Sequence, residues 1–399
     1  MHFNLEYIKK DEFEIISNNT SIKSLDVQYN AKLSKSYGYG NSISNERLLE
    51  YVCNMKHLLS LRIVFDRQLL KMNASIVNLK LKKLDLSFNE LHDDVFSVIS
   101  QIQTLTKLYL VSTNLTEISC KYISQLKNLT LLNISHCHVP DSGIFYIAQL
   151  KMLEELYVNY STIGNGIVHI KNMANLKKIE YCIGHCDGFI INQIINYPLY
   201  HISVDCVYRT DLALDINNLN HETKTLSARG WVLNISPTIN LNNLIEINNR
   251  NGLTNDDHIK SIHLIPNLKR LNLSSSCITD ISCKHISQLN HLTCLYIRKN
   301  NITDNGIQYI TQAKLQNLDV SSCKLTNKSI QFLKNLHNLK YLNISDNCKF
   351  SKRNIKLMQL KNIDNFVYKN EKNSAPLIEM IRDLLEKAKQ TIKNKFTNK

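Results

Sequence analysis

Residues 81–104 read LKKLDLSFNELHDDVFSVISQIQT, residues 129–152 read LTLLNISHCHVPDSGIFYIAQLKM, and residues 268–291 read LKRLNLSSSCITDISCKHISQLNH. All three share one frame: L-x-x-L-x-L-x-x-N/C/S-x-L, then Asp, then apolar residues at every third position. Internal self-similarity of this period decides a fold before any single residue does. With the first Leu as register mark, units begin at residues 81, 105, 129, 153, 176, 199, 223, 244, 268, 292, 315 and 339. Weaker units begin at Ile22, Leu58 and Ile363, and residues 30–42 (NAKLSKSYGYGNS) interrupt the first of them. Segments 114–132 (NLTEISCKYISQLKNLTLL) and 277–295 (CITDISCKHISQLNHLTCL) are near copies, which points to growth by duplication.

The frame resembles the leucine-rich-repeat family, in particular its cysteine-containing and ribonuclease-inhibitor-like classes. That resemblance implies an α/β solenoid: a curved parallel sheet on the concave face, with helices on the convex face. The residues give physical reasons for the same reading. L-x-L is a short strand whose leucines point inward while the residues between face the other way. The small ninth residue (Asn89, Cys137, Asn300, Cys323, Asn347) is expected to turn inward and satisfy loop backbone groups. The Asp at position 13 (Asp93, Asp141, Asp280, Asp304) is expected to cap a helix, whose inner stripe, such as Ile144, Ile147 and Leu150, is buried. Between residues 176 and 260 the pattern weakens, with Trp231 at a ninth position and Thr223 at a first. A local irregularity is expected there, arising from drift or from a binding feature.

Domain organisation follows from the register. Residues 1–21 read as a short N-terminal cap, 22–369 as the repeat array, and 370–399 as a capping helix with a basic tail. Within that tail Leu377, Ile381, Leu384, Leu385, Ala388 and Ile392 form one stripe at helical spacing over residues 374–395. Such a helix would cover the exposed end of a solenoid core. The rival role, a membrane-surface helix, draws on Lys387, Lys389, Lys393 and Lys395.

The formal charge is +14, and residues 349–399 hold 13 Lys or Arg against 5 Asp or Glu. The basicity is therefore concentrated near one end, not laid along a nucleic-acid track. No apolar run approaches the length of a membrane span, and the N-terminus is too broken by charge for a signal peptide. Eleven cysteines, most at repeat positions, do not suggest a disulfide framework. A reducing, cytoplasmic site of action is expected.

A metal site could be drawn from Cys182, His185, Cys186, His201, Asp205 and Cys206, but the register sends these side chains apart. Packed or surface thiols are the expected state, with no metal and no cofactor. No nucleophile–base pair or phosphate-cradling glycine loop is present. Within the resemblance, a ubiquitin-ligase domain would need a cysteine beyond Cys348, and an F-box would need more than the residues before the first repeat. No enzyme is expected.

Positions three, five, seven and eight should face outward on the strand side. They carry Phe65, Phe88, Tyr109, His136, Tyr157 and Tyr160 in the first half, then Arg229, Arg250, Arg270, Arg298 and Lys299. Exposed aromatic residues favour interface hot spots, although the rings could equally stack across strands. The arginines suit an acidic segment or a phosphate, or are simply solvated. The expected function is a monomeric, non-enzymatic scaffold binding a protein partner on its concave face. An effector of an intracellular bacterium, a protein of a large DNA virus, or an interaction protein of a free-living organism would fit. The alternative is an electrostatic binder of nucleic acid or anionic membrane through the basic C-terminal region.

Overall fold

In every one of the fifteen units, the fourth residue lies in a strand of the chain's computed structural model. The structure describes residues 10–28, 45–65, 69–161, 163–182, 191–192, 194–206, 212–238, 240–347, 350 and 363–368. The 30–42 insertion and the 374–395 helix lie outside the described residues. Contacts divide the chain into two units, Met1–Ser203 and Val204–Lys399.

In the first unit the strands Ser24–Gln28, Ser60–Val64, Lys83–Asp85, Lys107–Tyr109, Leu131–Asn133, Glu155–Tyr157, Lys178–Glu180 and His201–Ser203 pair in parallel, each with the next. The register aligns Leu84, Leu108, Leu132 and Leu156, and all four are fully buried. Each such side chain contributes about 1.5–3 kcal/mol relative to exposure. Helices Lys10–Ser17 and Asn45–Asn54 pack together near the N-terminal end. Helices Asp93–Ile99, Glu117–Ile123 and Asp141–Ile147 follow the strands of three successive repeats.

In the second unit Thr225–Ser227, Glu246–Asn248, Arg270–Asn272, Cys294–Tyr296, Asn317–Asp319, Tyr341–Asn343 and Asn365–Val367 pair in the same way. Helices Asp280–Ile286, Asp304–Ile310 and Ser329–Leu333 follow three of them. Where the repeat pattern weakens, full helices give way to 3-10 turns at Ile216–Asn218, Asp257–Ile259 and Ile262–Leu264. There Ala213–Asp215 also pairs in parallel with Val232–Asn234 in a separate two-stranded sheet. The expected irregularity is therefore an exchange of helix for extended chain.

The ninth position turns inward as expected and does a specific job. In most described repeats its side chain donates to the carbonyl of the sixth residue of the preceding repeat, whereas Thr113 donates to Leu110 O of its own repeat. Asn89 Nδ2 reaches Ile63 O at 2.7 Å, Cys137 Sγ reaches Leu110 O at 3.0 Å, and Ser161 Oγ reaches Ile134 O at 2.8 Å. In the second unit Asn300 Nδ2 reaches Leu273 O at 2.8 Å and Asn347 Nδ2 reaches Val320 O at 2.9 Å. Trp231, fully buried, obeys the same rule, because its indole N–H donates to Val204 O at 2.5 Å. An indole carries one donor on a large apolar body. It thus satisfies the ladder while filling space that a small residue would leave empty.

The helix caps differ from expectation. The Asp at position 13 is the first helical residue, and the cap is the residue before it. Thr279 and Thr303 accept from the N–H groups of Ile281 and Asn305 at 3.3 Å. The aspartate instead reaches the next repeat: Asp280 accepts from the Thr303 backbone N–H at 2.8 Å and hydroxyl at 2.5 Å, and Asp304 does the same for Thr326 at 2.8 and 2.5 Å. Its negative charge still lies in the first turn, where the helix dipole favours it.

Each strand ends in a tight turn. All nine non-glycine residues of positive φ among the described residues (Phe88, Ser112, His136, Tyr160, Asn251, Ser275, Lys299, Ser322, Asp346) stand at position eight, and Gly230 occupies the same position. This left-handed conformation costs an ordinary residue about 1–2 kcal/mol.

Two expectations follow from the ladder. Asn89→Leu strands the Ile63 and Leu86 carbonyls and the Phe65 N–H, and should lower stability by about 3 kcal/mol or more, at about 1–3 kcal/mol per unmet buried group. Trp231→Phe keeps most of the volume but loses the donor, and should cost about 1–3 kcal/mol. Denaturant unfolding followed by circular dichroism measures both. Stabilities within about 0.5 kcal/mol of wild type would contradict the ladder.

Candidate functional site

On the first unit's strand face, residues at positions three and five form a network of charge and aromatic rings. Arg62 Nη1 lies 3.1 Å from an Asp26 carboxylate oxygen, and its Nε lies 3.3 Å from Asp85. The Lys83 ammonium sits 5.0 Å from the centroid of the Tyr109 ring. The Tyr157 hydroxyl donates to Glu155 Oε2 at 2.5 Å and accepts from Lys178 Nζ at 3.0 Å. Lys178 also pairs with Glu180 at 2.8 Å, and Asn159 donates to the second Glu180 oxygen at 3.1 Å. Apart from Tyr157–Glu155 and Lys178–Glu180, these partners come from neighbouring repeats, so the face is laced together across them.

The electrostatics make this network a poor catalyst. Burial raises the pKa of the Tyr109 phenol, helped by Asp85 and Glu155. Burial likewise raises Tyr157, and its hydrogen bond to Glu155 adds to the shift. For Lys178 burial opposes the charged form, but hydrogen bonds to Glu180 and Tyr157 outweigh it and hold the pKa above the ordinary lysine value. At neutral pH the phenols keep their protons and the amine keeps its charge, so none of the three is a general base.

Beyond the strand ends stand the position-eight side chains. Phe88 is 45% exposed and Tyr160 49% exposed. His136 is also exposed, and its ring stacks on Tyr160 with centroids 4.7 Å apart and planes 17° from parallel. Tyr109 and Tyr157 are half-buried one step further in, at position five.

Phe65 does not join them. It is completely buried, which corrects the expectation that it faces a partner. Strand Ser60–Val64 runs two residues longer than its successors, so the in–out alternation continues: Leu61, Ile63 and Phe65 all point inward. At position seven the expectation fails for two serines, since Ser87 and Ser135 are buried. Their hydroxyls accept from the N–H groups of Val111 at 3.0 Å and Asn159 at 3.2 Å in the next repeat.

In the second unit the predicted arginines separate into two kinds. Arg229 is bound to the buried Asp205, with Nε and Nη2 at 2.6 and 2.5 Å from Oδ2. Arg270 lies 3.4 Å from Glu246. Arg250, Arg298 and Lys299 are exposed at positions seven and eight. The sequence reading missed the carboxylates that pair with Arg229, Arg270, Arg62 and Lys178. The register carried the signal, because opposite charges at the same or adjacent face positions recur one repeat apart.

The cysteines are mostly buried thiols. Burial pushes Cys120 up to about 12 and Cys323 and Cys53 up to about 11, and burial also raises Cys283 well above the ordinary thiol value. Cys182 is buried. Cys206 is disulfide-bonded, which corrects its expected state as a thiol, and Asp205 is committed to Arg229. His185 and Cys186 lie outside the described residues. No group of three or more His, Cys, Asp or Glu side chains suited to a metal occurs among the described residues. Nor is any helix among them long and apolar enough to cross a membrane. A cleft of about 240 Å³ near the N-terminal end, lined by Ser17, Thr20, Asn54 and His57 among others, gathers no catalytic set.

A parallel-stranded repeat with an inward ninth residue and a helical or 3-10 return defines a class of solenoid. A Leucine Rich repeat sequence model matches residues 77–94, 125–148, 265–287 and 288–310, and a second Leucine Rich Repeat model matches 314–336. These segments are leucine-rich repeats, and the chain has the leucine-rich-repeat solenoid fold. Among solved structures it resembles a leucine-rich-repeat protein of Leptospira interrogans, at 20% identity over 96% of this chain and 92% of that one, with a TM-score of 0.52. It is also similar to an internalin of Listeria monocytogenes, at 16% identity over 91% and 90% of the two chains, with a TM-score of 0.45. A plant peptide hormone receptor solved in complex with RGF2 is 15% identical over 90% of this chain and 64% of that one, with a TM-score of 0.48. No curated protein matches the sequence.

The thiols give a direct check on the packing. Under native conditions a thiol reagent should label the exposed Cys277 quickly, whereas Cys120, Cys283 and Cys323 should react only on unfolding. Rapid native labelling of Cys120 or Cys283, mapped by peptide mass spectrometry, would contradict the burial described.

Proposed function

We propose that the chain is a non-enzymatic protein-binding scaffold whose partner docks on the strand face of the first unit. Leucine-rich-repeat folds commonly serve as interaction scaffolds, and the position-eight rings carry the reading further. Phe88, His136 and Tyr160 hold the left-handed backbone, where a bulky residue is disfavoured. They also expose aromatic surface that water does not favour. A sequence that accepts both costs in three repeats at one edge is best explained by what those rings touch. Tyr109 and Tyr157, held in place by Lys83 and Lys178, extend the same surface inward. Aromatic side chains on a preorganised support are typical hot-spot material.

A single chain suffices for this role. The free thiols support the cytoplasm as the site of action, while the disulfide at Cys206 speaks against it. An effector or viral origin is compatible with the same surface and is not needed for it.

The test uses affinity capture from lysate to obtain a partner, followed by titration with that partner purified. Phe88→Ala with Tyr160→Ala should weaken binding by about 2 kcal/mol or more, roughly thirtyfold. Folding should change little, since neither ring is in the core. Ile118→Ala, on an exposed helical position, should leave affinity unchanged. Wild-type affinity in the double variant, or a loss confined to Ile118→Ala, would overturn the assignment.

A further inference from the structure

Arg250, Arg298 and Lys299 stand immediately beyond the strand ends of the second unit, at positions seven and eight of their repeats. All three are exposed, and none forms an ion pair among the described residues. This sets them apart from Arg229 and Arg270, whose charges are met by Asp205 and Glu246. Strands of one sheet lie about 4.8 Å apart, so Arg250 and Arg298, two repeats apart, emerge about 10 Å from each other. The repeat between them places only Ser274 and Ser275 at this edge, leaving a notch flanked by cations. Like charges this close repel slightly even in water, by about 0.4 kcal/mol per pair, and no carboxylate among the described residues pairs with them.

We propose that this edge is a docking strip for an acidic peptide segment, gripped by Arg250, Arg298 and Lys299. The proposal rests on the protein-binding reading but concerns a different surface. Arginine forks match carboxylates in paired hydrogen bonds, and side chains three residues apart in a polyproline-like segment are about 9 Å apart, close to the arginine spacing. A nucleic-acid backbone fits less well. It carries charge continuously, and along this face it would meet Glu246 on one side and the exposed Asp346 on the other. A short segment bearing two or three carboxylates fits between them. Tyr296, half-buried two residues before Arg298, offers apolar surface for the stem of such a side chain.

The test titrates the full chain against a fluorescent oligo-glutamate peptide, read by anisotropy. Wild-type chain should bind, and Arg250→Glu with Arg298→Glu should weaken binding at least about tenfold, one charge-assisted contact being worth about that much. Lys334→Glu with Lys340→Glu makes the same change in net charge at exposed positions elsewhere in the unit, and should leave most of the affinity intact. Circular dichroism confirms that each variant is folded. Equal losses in the two double variants would reduce the effect to net charge and overturn the proposal. So would absence of peptide binding by the wild type, or tighter binding of a single-stranded oligonucleotide through the same arginines. The Phe88→Ala, Tyr160→Ala chain should bind the peptide as wild type does. The strip can therefore fail while the first-unit face stands, and the reverse also holds.

Discussion

The structure depends on one recurring hydrogen bond, from the ninth residue of most described repeats to the sixth carbonyl of the repeat before. Strands here are mostly three residues long, so the chain leaves the sheet almost as soon as it enters. The turn that follows is buried, and buried carbonyls without donors are costly. Asn89 supplies two N–H groups and an acceptor at such a turn. Where Asn is replaced, most substitutes are side chains that can still donate, among them Ser161, Cys137, Cys323 and Trp231, and Gly252 is an exception in the irregular stretch. The ninth position selects for a donor first and for size second. For that reason a buried tryptophan and a small thiol are interchangeable in role.

That bond also shapes the surface. Drawing residue nine inward while residue six already points inward leaves two residues to reverse the chain. Residue eight answers by adopting positive φ, in ten of the described repeats including Gly230. Its side chain is then thrust past the strand ends. The conformation that serves the core therefore creates an edge, and the residue types placed there distinguish the two units. Rings occupy it at Phe88, His136 and Tyr160; in the second unit Arg250, Arg298 and Lys299 gather at and beside it. The proposed aromatic and cationic contacts both grow from one backbone constraint.

The strands were legible because hydrophobic register is a local, repeated signal, and Leu84, Leu108 and Leu271 fall where the period puts them. What escaped depended on contacts between repeats. Phe65 went inward because its strand is longer, and strand length is set by pairing and not by the period. Asp280 and Asp304 hold the next repeat's threonine instead of capping their own helix, since a carboxylate at a helix start can reach either way. The burial of Ser87 and Ser135 follows from their role as acceptors for the neighbouring turn. Arg229 looked free until Asp205, one repeat earlier, proved to be its partner. For the candidate site the rows were readable, but the sorting of paired from unpaired charges was not.

The central claim is that the first unit presents the rings of residues 88, 136 and 160 to a protein. Hydroxyl-radical footprinting of the chain alone and in complex with its captured partner tests this most directly, because aromatic and sulfur-containing side chains report their own exposure. The account predicts that Phe88, His136 and Tyr160 become protected while Phe145 and Met152, exposed outside the strand face, react as before. Protection of Phe145 and Met152 with the three rings still open would contradict it.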